Sequence, residues 1–278
     1  MTISNILVIG GTGKTGRRVA SRLTDRGLPV RIGSRAGSPP FDWDDPETWP
    51  AALAGADRVY LSYFPDVAIP GSADVIESVT RLAVAAGVRR IVLLSGRGEA
   101  EAEECERRLA ATCAGTGTQW TVVRASWFNQ NFSEGFIVDL IRDGVVALPA
   151  GDIPEPFVDA DDIADVAVAA LTEDGHAGEV YEVTGPRAYT FAEAVDEIAK
   201  ASGRSVEFVP VPLADFAAEL RGLGLPSDIA WLLEYLFREV LDGRNVQPTD
   251  GVRRALGREP RDLLDYVRDT AATGVWNA

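Results

Sequence analysis

The chain has few of the residues on which metal-dependent and nucleophilic enzymes rely. Of 278 residues, one is histidine and two are cysteine. His176 sits in Asp174-Gly175-His176-Ala177-Gly178, a turn signature, and is expected at the surface. A lone histidine argues against Ser-His-Asp and Cys-His relays and against hydrolysis by a His-bound metal. No cluster has zinc-site spacing, so no metal is expected. Cys105 and Cys113 fall on one predicted helix. A rise of ~1.5 Å per residue separates them by roughly 12 Å, too far to bridge. Two unpaired thiols fit a reducing compartment. No apolar run approaches the ~18 residues of a membrane span. No basic-then-apolar leader precedes the first apolar run, so a cytoplasmic chain is expected. Lysine is confined to Lys14 and Lys200, and the net charge is −15. That charge argues against nucleic acid or an anionic membrane as partner.

What the chain does have begins at residue 6. The apolar run Ile6-Leu7-Val8-Ile9 reads as a buried strand and leads into Gly10-Gly11-Thr12-Gly13-Lys14-Thr15-Gly16. A segment to Arg26 follows, with Val19 and Leu23 at helical spacing. Strand, glycine turn and helix together are the context of a dinucleotide fingerprint. Gly10 permits the turn, Gly13 lets a pyrophosphate reach the backbone, and Gly16 lets the helix pack closely. Free N–H groups at the helix start would face the phosphates. Lys14, Arg17 and Arg18 oppose the positive end of the helix dipole by roughly 0.3–1 kcal/mol each. An anionic ligand would remove that conflict.

Strand and helix patterns alternate through the first half. Strands are expected at Val30–Ile32, Phe41–Trp43, Arg58–Ser62, Arg90–Ser95 and Trp120–Arg124. Helices are expected over 44–54, 72–86 and 99–114, the first capped by Asp44 or Asp45. This alternation predicts an α/β fold with a doubly wound parallel sheet, the Rossmann arrangement. Later expectations are a helix over 132–142, a strand at Val145–Leu148 and a helix capped by Asp161 or Asp162. A strand at Val180–Val183 follows, then a helix opened by the capping pair Thr190 and Glu193, and a strand at Val206–Val211. The remainder is mainly helical, with Trp231, Leu232, Tyr235 and Leu236 on one face of a helix over 229–241. Residues 1–150 read as a dinucleotide-binding core and 151–278 as a smaller, mainly helical lobe, interleaved with the core, that covers the cofactor's reactive end. The Trp231 face suits internal packing or a homodimer.

An acidic residue after the second strand would hold a ribose 2′-OH, and an arginine a 2′-phosphate. Here that strand ends Gly33-Ser34-Arg35, without a carboxylate. Ser34 and Arg35 suit phosphate, which favours NADP (NADPH) over NAD.

Gly10–Arg17, Ser34-Arg35, Arg124-Ala125-Ser126-Trp127-Phe128-Asn129-Gln130-Asn131 and Phe157–Ala164 resemble the NmrA-like branch of atypical short-chain dehydrogenases/reductases over nearly the whole chain. Phe41-Asp42-Trp43, Asp45–Trp49 and Gly224–Asp228 are similar to a narrower set, the festuclavine and agroclavine dehydrogenases and their bacterial relatives. Other branch members are NADPH quinone reductases and azoreductase-like proteins, and some are non-catalytic redox sensors. The resemblance implies a phosphate loop of Gly10, Thr12, Gly13, Lys14 and Thr15. It implies a 2′-phosphate grip of Ser34 and Arg35, with Asp42 and Trp43 beside the adenine. Ser62, Tyr63 and Phe64 would lie along the cofactor, and Ser95 and Gly96 would end the strand that carries the family's serine. Trp127, Phe128 and Asn131 would stand where nicotinamide and substrate meet, joined there by Tyr63 and Phe64.

Ordinary short-chain dehydrogenases protonate a nascent alkoxide with a tyrosine assisted by a lysine four residues on. No tyrosine here has such a lysine. Glu99, Glu101, Glu103, Glu104 and Glu106 follow the predicted strand at 90–95, most of them expected on a solvated face. Glu104 or Cys105 takes the place where some relatives keep lysine. Two acceptors need no strong acid: an iminium ion, which hydride neutralises, and a quinone, whose added charge is delocalised. An NADPH-dependent reductase of such a small aromatic or conjugated substrate, working in secondary metabolism, is the leading expectation, with no catalytic residue assigned. An NADP-sensing regulatory protein is the alternative. Asn131 suits a substrate hydrogen bond or a cap for a helix starting at Phe132.

Overall fold

The computed structural model describes residues 5–277. The reading that no leader precedes the first strand rests on residues 1–4, which lie outside the described residues. In chain order the elements are β1 (Ile6–Ile9), α1 (Lys14–Asp25), β2 (Val30–Gly33), α2 (Trp49–Leu53), β3 (Arg58–Leu61), α3 (Ser72–Ala85), β4 (Arg90–Gly96), α4 (Ala100–Cys113) and β5 (Gln119–Ala125). There follow α5 (Phe136–Asp143), β6 (Val145–Leu148), α6 (Ala160–Thr172), β7 (Val180–Val183), α7 (Phe191–Ser202), β8 (Glu207–Pro210), α8 (Leu213–Gly222), α9 (Ser227–Tyr235), α10 (Gly251–Leu256) and α11 (Leu263–Ala271). No helix among the described residues is long and apolar enough to cross a membrane.

The chain forms two compact units. One comprises Met1–Ala125, Asp161–Glu182 and Gly251–Arg258; the other comprises Ser126–Ala160, Val183–Asp250 and Glu259–Ala278. The six-stranded sheet runs β2-β1-β3-β4-β5-β7, and the pairings from β2 through β5 are parallel. Alternate strand residues Leu7, Ile9, Val59, Leu61, Ile91 and Leu93 pack with α2, α3 and α4 in one core. Their neighbours Ile6, Val8, Tyr60 and Val92 are equally buried, so both faces of the sheet are covered. Each fully buried aliphatic chain contributes about 1.5–3 kcal/mol.

The order reverses between β1 and β3: the chain leaves β1 for β2 on one side and returns to β3 on the other. Ligands of such sheets bind at that switch, outside the carboxyl ends of the strands. The second unit has its own core around Phe132, Phe157, Phe191, Phe237 and Trp276, and the parallel pair β6 and β8.

Several sequence expectations are corrected. Phe41–Trp43 is not a strand; Asp42 forms an isolated bridge to Asp45. The loop is folded by its own indoles, because Trp49 Nε1 donates to Asp42 O at 2.7 Å and Trp43 Nε1 to Ser62 O at 3.3 Å. The sixth strand is instead β7. The predicted helix over 44–54 is a 3₁₀ turn, Pro46–Thr48, capped by Asp45, followed by the five residues of α2. The helix expected over 132–142 starts later, as α5, because Asn129–Phe132 forms a 3₁₀ turn. Asp161 and Asp162 lie inside the first turn of α6 rather than capping it. The helix expected over 229–241 is α9 followed by a π-helical turn, Leu236–Val240. The Thr190–Glu193 capping box forms in full.

His176 is buried, not at the surface. Its Nδ1 lies 2.8 Å from the Tyr181 hydroxyl and its carbonyl accepts from Thr121 Oγ1 at 2.7 Å. Cys105 and Cys113 are both free thiols and buried. Burial pushes each up to about 11.

Candidate functional site

At three positions of the turn between β1 and α1 a side chain has no room. Gly10 has φ +73°, and a Cβ there would meet Ser62 O at 2.8 Å. A Cβ on Gly16 would stand 2.1 Å from Gly10 O, and one on Gly11 would stand 2.9 Å from both Val8 O and Ile32 Cγ2. Gly16 therefore lets α1 start close against Gly10 and Gly11. Gly13 is the N-cap of α1; no side chain caps that end and no acid lies in its first turn. Thr12 and Gly13 are exposed and Lys14 is half-buried, so the helix start faces outward. Thr15 is buried and its hydroxyl accepts from Tyr60 at 3.0 Å. Arg18 pairs with Asp161 at 3.3 Å, so the chain itself relieves part of the charge conflict at this helix end.

At the end of β2 the Ser34 carbonyl accepts from Gly37 N and Phe41 N, both at 2.9 Å, which folds the following loop around it. Arg35 is exposed and, among the described residues, makes no hydrogen bond or ion pair. Asp42 is held by Thr48 and accepts from Asp44 N at 3.2 Å. The Trp43 ring lies 4.8 Å from Phe41 and 4.9 Å from Tyr63. Ser62, Tyr63 and Phe64 follow β3; Phe64 is 66% exposed. Burial, Asp44 and Cys105 together push the Tyr63 hydroxyl up.

At the end of β4 the serine is engaged. Ser95 is buried and donates to Glu106 Oε1 at 2.6 Å. Glu106 also accepts from Arg124 Nε at 2.9 Å, and Arg124 reaches Glu182 at 3.1 Å. The Glu99 carboxyl fills the space above Gly96, its Oε2 lying 1.9 Å from where a Cβ would be. Glu99 and Glu106 are each 6% exposed, and of the five glutamates only Glu103 is exposed, which corrects the reading that most of them form a solvated face. Glu99 caps α4 by position, yet its carboxyl accepts nothing from that helix. It hydrogen-bonds the Asp66 carboxyl instead. Burial, the Asp66 charge and the Glu106 charge hold Glu99 well above the ordinary carboxyl range, and burial raises Asp66 as well. Glu104 pairs with Arg107 and Arg108, and Cys105 Sγ lies 3.3 Å from Ser72 Oγ.

In the second unit, the segments after β5 and before α6 pair directly. Asn129 N donates to Val158 O at 2.9 Å and Val158 N to Trp127 O at 2.8 Å. Gln130 donates to Asp159 and accepts from Ala160 N, each at 2.7 Å. Trp127 packs on Phe191 at 5.3 Å and Phe237 at 5.1 Å. Phe128 bridges Val158, and both it and Asn131 are half-buried. Asn131 lies inside the 3₁₀ turn, which removes the helix-cap reading. Asn129 is fully buried with neither end of its amide hydrogen-bonded, and the Trp127 Nε1 is likewise unpartnered.

The sequence pattern described as NAD(P)H-binding matches residues 10–174, more than half of the chain. The chain belongs to the NAD(P)H-binding family. Festuclavine dehydrogenase of Aspergillus fumigatus is 32% identical over 96% of this chain and 98% of its own. The (4-alkanoyl-5-oxo-2,5-dihydrofuran-3-yl)methyl phosphate reductase of Streptomyces griseus is 36% identical over 96% and 98%. The Escherichia coli NADPH-dependent quinone oxidoreductase, solved with NADPH, shares the fold at TM-score 0.76 and 24% identity, over 95% of this chain and 99% of that one. The family match and the named relatives make this chain an NAD(P)H-dependent oxidoreductase.

The residues fit the family's cofactor. The uncapped start of α1, a Gly13 without Cβ, and an outward-facing turn are what a pyrophosphate needs. Sequence reasoning missed Gly11, Asp66 and Asn129, and did not separate Glu99 and Glu106 from their neighbours on α4. Only Gly11 had a signal, its place in the glycine run. The raised carboxyl has a consequence for stability. Above the ordinary value near 4.5, the folded chain keeps a proton on Glu99 that the unfolded chain has lost. Stability therefore falls as pH rises from there through the raised value. Melts across that window are expected to show the fall, and Glu99→Gln to flatten it.

Proposed function

We propose that the chain is an NADPH-dependent reductase that delivers hydride to a conjugated electrophile, of quinone or iminium type, in secondary metabolism. The observation that carries this reading is the Phe64 ring, 66% exposed at the carboxyl edge of the sheet. Beside it, β3 meets the glycine turn through Ser62 and Gly10. A bare aromatic at that edge suits a flat, electron-poor partner, with Tyr63 held against Trp43 as its neighbour. Bound NAD(P)H supplies the hydride. The residues of the turn hold the pyrophosphate through backbone N–H groups, and Ser34 with Arg35 select a 2′-phosphate. For the second unit we propose substrate recognition, with Trp127, Phe128 and Asn131 as contacts.

The chemistry of the relatives supports the class of acceptor. The ring of the Streptomyces griseus enzyme's substrate, by its name, bears a C=C bond with a lactone carbonyl and an acyl group both attached to one of its carbons. Without a Tyr–Lys pair, orientation contributes much of the rate, worth up to ~7–11 kcal/mol in favourable intramolecular cases. The test is NADPH oxidation against a panel of quinones, iminium ions and conjugated lactones. Turnover confined to simple ketones, or binding with no oxidation of NADPH by any of the panel, contradicts the reading.

The grip on the 2′-phosphate has its own test. Arg35→Ala is expected to weaken NADPH binding about 10–100-fold, since hydrogen bonds to charged groups contribute about 1.5–3 kcal/mol. NADH binding is expected to stay as it was. Fluorescence titration with both cofactors measures this; equal affinities that Arg35→Ala leaves unchanged contradict it.

A further inference from the structure

Glu99 and Asp66 form a hydrogen-bonded carboxyl pair. Asp66 lies on the loop that follows β3, and Glu99 three residues beyond the end of β4, so both stand at the carboxyl edge of the sheet where ligands of this architecture bind. Glu99 is 94% buried, as its 6% exposure gives, and its Oε2 has no hydrogen-bond partner. The carboxyl occupies the space a side chain on Gly96 would need. As the residue before α4, an ionised Glu99 would cap the helix; it turns away and meets Asp66. Asp66 is in turn fixed by Ala68 N, which donates to its Oδ1 at 2.9 Å.

Two carboxyl groups in contact cannot both be ionised without strong repulsion, so the pair retains a proton. The other charged group that bears on Glu99 is Glu106. Of the cations nearby, Arg97 pairs with Glu182 at 3.5 Å, and Arg124 pairs with Glu106 and Glu182.

We propose that Asp66 and Glu99 form a one-proton acid pair and that Glu99 gives this proton to the acceptor as hydride arrives. The proposal rests on the hydride-transfer reading above. Hydride adds to the electron-poor atom of the acceptor, and the displaced π pair moves to the conjugated oxygen or nitrogen. The Glu99 O–H bond breaks, its electrons stay on Glu99, and the proton joins that atom directly or through one water. The pair is left doubly ionised and regains a proton from solvent. This replaces the missing tyrosine–lysine device with a carboxylic acid kept neutral by burial and by its neighbour. It serves quinones, azo groups and conjugated lactones. An iminium ion, which hydride already neutralises, does not need it.

The experiment uses the full chain, with Glu99→Gln and Asp66→Asn. Infrared spectra in D2O near neutral pH are expected to show a protonated-carboxyl stretch in the parent protein that Glu99→Gln lacks. With a quinone acceptor, Glu99→Gln is expected to lower kcat by about 10²-fold or more, the usual yield of general acid catalysis, with NADPH affinity retained. Asp66→Asn keeps the donor but removes its charged neighbour, so the alkaline fall in kcat moves to lower pH. No carboxyl stretch in the parent protein overturns the proposal. So does a kcat and pH profile that Glu99→Gln leaves unchanged, or, if that variant does not fold, an alkaline limb that Asp66→Asn does not move. If the parent protein binds NADPH but no acceptor oxidises it, the hydride reading fails and the donor role falls with it. A parent protein that turns over while Glu99→Gln matches it fails the donor role alone.

Discussion

Gly16→Ala is expected to cost both cofactor binding and stability. Its Cβ would lie 2.1 Å from Gly10 O, 2.7 Å from Gly10 C and 2.8 Å from Gly11 Cα, all backbone atoms. Relief requires the turn to open, since no side chain can rotate away. Overpacking of this kind costs about 1–3 kcal/mol or more, and distortion of the same turn weakens NADPH binding by about 10–100-fold. Gly13→Ala is the control. Its Cβ would meet only Gly10 O, at 3.2 Å, on an exposed stretch of the turn. That variant should melt close to the parent protein yet bind NADPH less well, because the new methyl stands where the pyrophosphate approaches. Thermal melts with and without NADPH separate the two. Equal binding in all three proteins would remove the turn from the cofactor site.

Arg124→Leu is expected to be the most destabilising single change considered. Glu106 is 6% exposed and accepts from Arg124 and Ser95. Removing Arg124 leaves that carboxylate buried with one hydroxyl for company. Breaking a buried ion pair from one side costs about 3–5 kcal/mol, which for a chain of this size lowers Tm on the order of 10 °C. Adding Glu106→Gln should restore part of the loss, because the uncompensated charge is then gone. A melt unchanged by Arg124→Leu, or a double variant less stable by the sum of both single losses, contradicts this account of the pair.

The parts of the fold legible in the sequence are those decided locally. The glycine turn shows because φ +73° at Gly10 and the close approach at Gly16 tolerate no side chain. The Thr190–Glu193 box shows because both partners lie within one turn. The alternation of strands and helices shows because its periods are short. What was not legible depends on distant partners. Phe41–Trp43 has the composition of a strand, but Trp43 and Trp49 spend their indole N–H groups on backbone carbonyls and fold the segment into a loop. His176 has turn residues on both sides, and its burial comes from Tyr181 and Thr121. Glu99 and Glu106 look in the sequence like their exposed neighbour Glu103. Their burial follows from Asp66, Ser95 and Arg124, which the chain delivers from 33 residues before Glu99, 11 before Glu106 and 18 after it. Spacing along α4 does not encode that.

The most direct measurement of the central claim follows a label. NADPH deuterated at the transferable position of the nicotinamide is incubated with the protein and a conjugated lactone, and the product is analysed by mass spectrometry. The account predicts deuterium on the carbon of the product that accepts hydride, with NADPH consumed in step. Bound but unoxidised NADPH, or product free of deuterium, would contradict it.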